Sequence, residues 1–276
     1  MHIDAHHHFW HYHPDEYSWM TDQMESLKHD YLPTDLQPLL RRTGIEGTVV
    51  VQARQSLQET EWLLDLADQY PFIKGVVGWV DVCSPQARAQ LATYAHRSKL
   101  KGVRHLVQDE PHDRFMLQPS FLAGIALLSE FKLVYDLLLY PKHLPVAVDV
   151  VKQFPQQQFV LDHLAKPFIK AQTLVPWETD IRALARFPNV VCKVSGLVTE
   201  AAWQQWQPAD FRRYLDVVFD CFGPERLMFG SDWPVCTLAA SYAEVVLLVH
   251  KYLRGLPIAT QDQIFGGTAA RVYGLL

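Results

Sequence analysis

Residues 1–10 read MHIDAHHHFW, and residues 3–8 of that run have the character of a short β-strand. Six of the thirteen histidines fall within residues 1–13, which invites the reading of an expression tag. The unbroken run is only His6, His7 and His8, however, and it is embedded in the strand. Seven further segments share the strand character: residues 48–53, 74–81, 102–106, 133–139, 159–164, 190–195 and 227–231. Several are apolar on both faces, as strands of a covered parallel sheet should be. Helical patterns lie between them. Residues 59–70 set Trp62, Leu63, Leu66, Ala67 and Tyr70 on one stripe, and residues 209–222 do the same with Phe211, Leu215, Val218, Phe219 and Phe222. Pro85, Pro119 and Pro208 fall near helix starts, where proline is tolerated.

Eight strands alternating with helices predict an α/β fold, a (β/α)8 TIM barrel, which typically takes about 250 residues. No linker, low-complexity tract or composition break divides residues 1–276, so one domain is expected. A doubly wound open sheet is the rival, but it would carry a GxGxxG loop after an early strand, and none is present. Loop lengths favour the barrel. Helix-to-strand connections are tight (residues 42–47, 187–189 and 222–226), and strand-to-helix connections are long (residues 9–32, 107–118 and 196–207). In a barrel the long loops gather at the C-terminal strand ends, where active sites are built.

Composition narrows the function. With 49% hydrophobic and 20% charged residues the chain can bury a core. A net charge of −5 without a basic stripe argues against nucleic-acid binding. No apolar run approaches the roughly 20 residues of a membrane span, and the start lacks the regions of a signal peptide. Cys83, Cys192, Cys221 and Cys236 are far apart and form no CxxC, which fits reduced thiols in a cytoplasmic protein. Oligomeric state is left open, self-association included.

His6 and His8 are two apart, so on a strand both face one way, and in a barrel that way can be the interior. Alone, His-x-His is a weak signal; its place at the mouth end of strand one gives it weight. The last strand leads into RLMFGSDWP, residues 226–234, with Asp232 just past the apolar run and Gly230 leaving room beside it. Asp232 can bind a metal, act as general base towards water, or do both. Its ordinary reading is a helix cap, but the following helix starts near Leu238. His163, near the end of strand six, reads as a ligand or an oxyanion donor. Arg104 and His105 end strand four; Arg104 can hold a substrate oxygen or form a rim salt bridge. Asp136 is a charge in the apolar run LVYDLLLY and needs a partner or a job. Lys166, Lys193, Ser195 and Gln52 are weaker candidates, with a structural role as the ordinary reading of each.

These motifs together resemble the amidohydrolase superfamily, and within it the sugar-lactone branch of the amidohydrolase-2 lactonases. IDAHHHFW resembles the first-strand HxH; GWVDV, KGVRHLVQDEP, VLDHLAKP, CKVSGLVTEA and MFGSDWPVC resemble successive strand ends; and IFGGTAARVYGL resembles the terminal helix. The likeness runs from Ile3 to Leu275. It implies hydrolysis of a cyclic ester, an L-sugar lactone such as L-fuconolactone foremost. It also implies a central triad of His6, His8 and Asp232, with His163 and Arg104 as substrate or metal contacts. Departures matter. Strand four has Arg104 and His105, strand five has Asp136, and only His163 remains on strand six, so a bridged binuclear centre is not expected. One divalent ion is, with zinc best suited to imidazole and carboxylate ligands. Some lactonases of this family work without metal.

Ester chemistry assigns the expected roles. Metal, Arg104 or His163 stabilises the tetrahedral oxyanion. Asp232 takes the proton of water and returns it to the ring oxygen. Few arginines converge at the strand ends beyond Arg104 and Arg54, so a dicarboxylate lactone is disfavoured. The aromatic loop WHYHPDEYSWM, residues 10–20, offers Trp10, Tyr12, Tyr17 and Trp19 to a neutral sugar, with His105 and Asp136 as polar substrate contacts. Packing within the loop is the ordinary alternative. A decarboxylase of the same superfamily and a non-catalytic ligand-binding barrel are the competing functions.

Overall fold

The computed structural model describes residues 1–275. Among them all eight expected strands occur: β1 (Ile3–His7), β2 (Gly47–Val51), β3 (Ile73–Gly78), β4 (Leu100–His105), β5 (Val134–Leu137), β6 (Phe159–Leu161), β7 (Val190–Val194) and β8 (Leu227–Phe229). They are parallel and hydrogen-bonded in chain order. Each is followed by a helix: α1 (Pro33–Thr43), α2 (Leu57–Gln69), α3 (Ala87–Tyr94), α4 (Pro119–Glu130), α5 (Leu144–Gln153), α6 (Trp177–Ala185), α7 (Pro208–Phe222) and α8 (Tyr242–Leu253). Two short helices, α9 (Ile258–Asp262) and α10 (Thr268–Tyr273), complete the chain order.

The barrel closes just beyond the end of β8. The Asp232 amide donates to the His6 carbonyl at 2.8 Å, and the His8 amide donates to the Trp233 carbonyl at 2.7 Å. The seam is reinforced by Asp4, whose carboxylate accepts from the Ser231 amide at 2.8 Å and from the Tyr242 hydroxyl at 3.1 Å. Outward-facing strand residues such as Val50, Tyr135, Cys192 and Phe229 pack against the helices. Inward-facing Ile3, Val49, Val77, Val191 and Met228 form a separate lower core, plugged at the N-terminal mouth by Ala269, Ala270 and Tyr273 of α10.

Strand β1 departs from plain alternation. Ile3 pairs with Gly47, Asp4 with Thr48 and His7 with Val50, so three steps along β1 oppose two along β2. The extra residue is a bulge, and Asp4 Oδ1 accepts the His6 amide at 3.1 Å. As a result Ile3 and Ala5 belong to the lower core while His6 also turns inward, to the polar layer above it. Expected strand ends overshoot at the mouth, by three residues at β3 and at β6, the latter stopping at Leu161 before His163–Lys166 adopt left-handed backbone. No helix among the described residues is long and apolar enough to cross a membrane.

Candidate metal centre and active-site cavity

Strand alternation delivers the inward positions of β4, β5, β7 and β8 to one axis, and the β1 bulge delivers His6 and His8 beside them. His6 Nε2 and His8 Nε2 lie 3.3 Å apart. Asp232 Oδ1 is 3.5 Å from His8 Nε2, 3.9 Å from His6 Nε2 and 3.8 Å from His163 Nε2. The residues expected to meet, His6, His8, His163, Asp232 and Arg104, do meet, at the C-terminal mouth. Glycines permit the approach. A Cβ at Gly230 would fall 2.7 Å from His6 Cβ, and one at Gly196 would fall 2.7 Å from the His163 ring.

The imidazoles are oriented from behind. His8 Nδ1 lies 2.8 Å from the Val51 carbonyl, which only accepts, so Nδ1 carries the proton and Nε2 presents a lone pair. His6 Nδ1 lies 3.3 Å from Asp162 Oδ1, which can accept from it, and 3.2 Å from Lys193 Nζ, which can only donate to it. His163 Nδ1 lies 2.9 Å from Ser195 Oγ. Three donors, His6 Nε2, His8 Nε2 and Asp232 Oδ1, are thus buried, convergent and directed at one another. Tetrahedral zinc with ligand bonds of about 2.0–2.2 Å separates its ligands by about 3.3–3.6 Å. The spacing of the donor set fits such an ion to within a few tenths of an ångström, and the Arg104 guanidinium, 3.3 Å from His6 Nε2, gives up that contact when the lone pair takes the metal.

Beneath this centre lies a buried ionic layer. Lys193 Nζ is 2.6 Å from Asp136 Oδ2, 3.0 Å from Asp162 Oδ1 and 3.2 Å from His6 Nδ1. Arg104 Nη1 is 3.0 Å from Asp162 Oδ2 and 3.3 Å from His6 Nε2, and Nη2 donates to the Gln52 carbonyl. The Tyr273 hydroxyl donates to Asp136 at 2.8 Å. Burial, with the nearby Lys193 ammonium, pushes the His6 pKa well below its ordinary value despite Asp162. Burial takes His163 down to about 4. Burial opposes ionisation of Asp232, but His163, His8 and Lys166 outweigh it and hold the carboxyl below its usual value. The same contest at Asp162 is won by Lys193, His6 and Arg104. At Asp136 burial wins and raises the value to about 6, Lys193 offsetting it only in part.

Above the centre opens a cavity of about 410 Å³, with His8, Arg104, His163 and Asp232 in its lining. Trp10 and Trp19 line it as well, so the loop after β1 covers the mouth as expected, while Tyr17 is buried in the loop's own core. The base of the loop is pinned by paired backbone hydrogen bonds between Trp10 and Tyr31, at 2.9 and 3.0 Å.

Two expected substrate contacts are elsewhere. His105 neighbours inward-facing Arg104, so alternation turns it outward, where it stacks on Phe115 at 4.9 Å and meets Glu110 at 2.6 Å. Asp136 sits one layer below the cavity and is the partner of Lys193 and Tyr273. Its required job is therefore structural. Asp162 was missed, although it continues the inward parity of Val160 in VLDHLAKP, and an acid at that phase is a legible signal. Asp4 was also missed, since its role depends on the bulge. Lys166, a weaker candidate in the sequence, lines the cavity.

The amidohydrolase family profile matches residues 3–275, and the chain belongs to that family. It is 42% identical to the L-fucono-1,5-lactonase of Burkholderia multivorans, across 100% of this chain and 96% of that protein. It is 36% identical to the L-fucono-1,5-lactonase of Burkholderia ambifaria, across 98% of this chain and 94% of that one. A crystal structure of an amidohydrolase from Burkholderia multivorans with bound zinc superposes with a TM-score of 0.97 at 41% identity, covering both chains completely.

Proposed function

We propose that the protein hydrolyses a sugar lactone, L-fuconolactone or a closely related L-sugar lactone, to the aldonic acid. The observation that carries this reading is the convergence of His8, His163, Asp232 and Arg104 on the floor of one aromatic-walled cavity, with His6 against them. The full-length likeness to L-fucono-1,5-lactonases supports the substrate class. A single zinc ion suits the donor set of His6, His8 and Asp232, and the bound zinc of the related amidohydrolase supports that choice. When bound, zinc acts as a Lewis acid that polarises a carbonyl and acidifies water.

The chain's own groups supply the rest. Asp232, ionised at neutral pH, accepts a proton as water adds to the lactone carbonyl carbon. Arg104 donates to the developing oxyanion. His163, whose Nδ1 lies 2.9 Å from Ser195 Oγ, donates from Nε2–H to the same oxyanion, a role that takes the tautomer in which Ser195 is the donor. Collapse of the tetrahedral adduct breaks the bond to the ring oxygen, which takes the proton back from Asp232. Water is thus consumed and one C–O bond is cleaved. Four free cysteines accord with a cytoplasmic setting.

The test is a lactone panel read by a pH-indicator dye, with and without chelator. Acid release should be fastest from L-fuconolactone and related L-sugar lactones, fall on chelation, and return with added zinc. Carbon dioxide release, or silence on every lactone, would overturn the reading. Full turnover in protein shown to be metal-free would remove zinc and leave hydrolysis standing.

A further inference from the structure

His163, Leu164, Ala165 and Lys166 have φ of 54, 54, 56 and 51°. A non-glycine residue is disfavoured in the left-handed region, so four in succession persist only where the surroundings fix them. The surroundings do so. Leu164 and Ala165 are fully buried, and Trp177 Nε1 donates to the Leu164 carbonyl at 2.7 Å. The Lys166 amide donates to the His163 carbonyl at 2.7 Å, closing a four-residue turn. In so tight a turn the side chains at i and i+3 stand on the same side. The strained turn therefore presents Lys166 to the cavity beside His163, and both line it.

Lys166 has company there. Its Nζ lies 5.3 Å from the centroid of the Tyr140 ring. Glu200, on the loop after β7, lines the same cavity, and its carbonyl accepts the Lys170 amide at 2.9 Å, which ties the two loops together. Burial raises the Glu200 pKa, and Lys166 is near enough to pull it part of the way back. Yet among the described residues Lys166 has no carboxylate within the 4.0 Å of a salt bridge. Lys166 and Glu200 both line the cavity without forming a salt bridge with each other. Tyr140, Lys166 and Glu200 come from the loops after β5, β6 and β7. Apolar Trp10, Met24, Val235 and Leu238 come from the loops after β1 and β8, across the seam.

We propose that Lys166 and Glu200 are specificity-determining residues that together read a vicinal diol of the sugar lactone, one hydroxyl accepting from Lys166 and its neighbour donating to Glu200. The inference rests on the lactone-hydrolase reading and adds which groups recognise the sugar.

Two lactones separate the possibilities: L-fuconolactone, and δ-valerolactone, which carries no hydroxyl. Wild type, Lys166→Met and Glu200→Gln are compared for kcat/KM on both, for metal content and for melting temperature. A hydrogen bond to a charged group contributes about 1.5–3 kcal/mol, or about 10- to 150-fold. The preference for L-fuconolactone over δ-valerolactone should fall by that factor in each variant, mainly through KM, with metal content and melting temperature retained. Calorimetric titration with L-fuconate should show the same weakening without turnover. Equal loss on both lactones, loss of metal, or an unchanged preference would overturn the assignment. If wild type opens no lactone, the proposed function falls, and the L-fuconate titration alone decides whether the pair reads hydroxyls.

Discussion

Asp232 stands in left-handed backbone, with φ of 59°, at the point where β8 has ended and the seam to β1 closes. A non-glycine residue in that conformation marks a position held by its surroundings. Here the hold places Oδ1 against three imidazoles. Asp232→Asn keeps the shape and removes the proton acceptor. General acid–base groups contribute about 100- to 10,000-fold, so turnover on the best lactone should fall by at least that order. Metal must be assayed in the same sample. An inactive variant that retains its metal supports the base; an inactive, metal-free variant supports only a ligand. Near-normal turnover on the best lactone would refute the base. His105 shows the limit of residue-level reading: it neighbours Arg104, yet one step along a strand reverses the face.

At the scale of elements, conformation at the ends matters more than the middle of a strand or helix. Helix α4 shows this away from the site. Lys132 follows it with φ of 57°, and its amide donates to the Ser129 carbonyl at 3.2 Å, a left-handed helix terminus that suits glycine. Lys132 is exposed, so little packing is lost on truncation. Lys132→Gly should therefore stabilise the protein by about 1 kcal/mol, a rise of roughly 2–4 °C in melting temperature by calorimetry. A lower melting temperature would show that the side chain contributes more than the backbone strain it imposes. At the mouth the same left-handed conformation is retained without glycine at His163–Lys166, where the side chains have work to do.

For the whole molecule, the layer under the metal centre links five strands and the terminal helix. Lys193 of β7 joins Asp136 of β5, Asp162 after β6 and His6 of β1, Arg104 of β4 joins Asp162, and Tyr273 of α10 joins Asp136. All are buried. Such a layer need not stabilise the fold relative to an apolar one, but removing one partner strands the others. Lys193→Met should lower stability by about 3–5 kcal/mol in urea unfolding, and adding Asp136→Asn should recover part of it. An unchanged urea midpoint would mean that the carboxylates find other partners. The layer also sets His6, so metal affinity should fall in the same variant.

Alternating apolar segments and amphipathic stripes, with long loops after strands and short ones before, were enough to determine eight parallel strands and the end of the barrel that carries the site. Periodicity is a local property, and burial of a two-faced sheet leaves few ways to assemble it. His6, His8, Asp232, His163 and Arg104 were legible because each lies close to the mouth end of a strand. Only the tertiary structure decided what these groups do to one another. A one-residue bulge turned His6 inward, and a left-handed turn brought Lys166 to the cavity. Asp136 went to the interior layer rather than to the substrate. Those outcomes depend on backbone conformations that leave no period in the sequence, and on pairings between residues far apart in the chain.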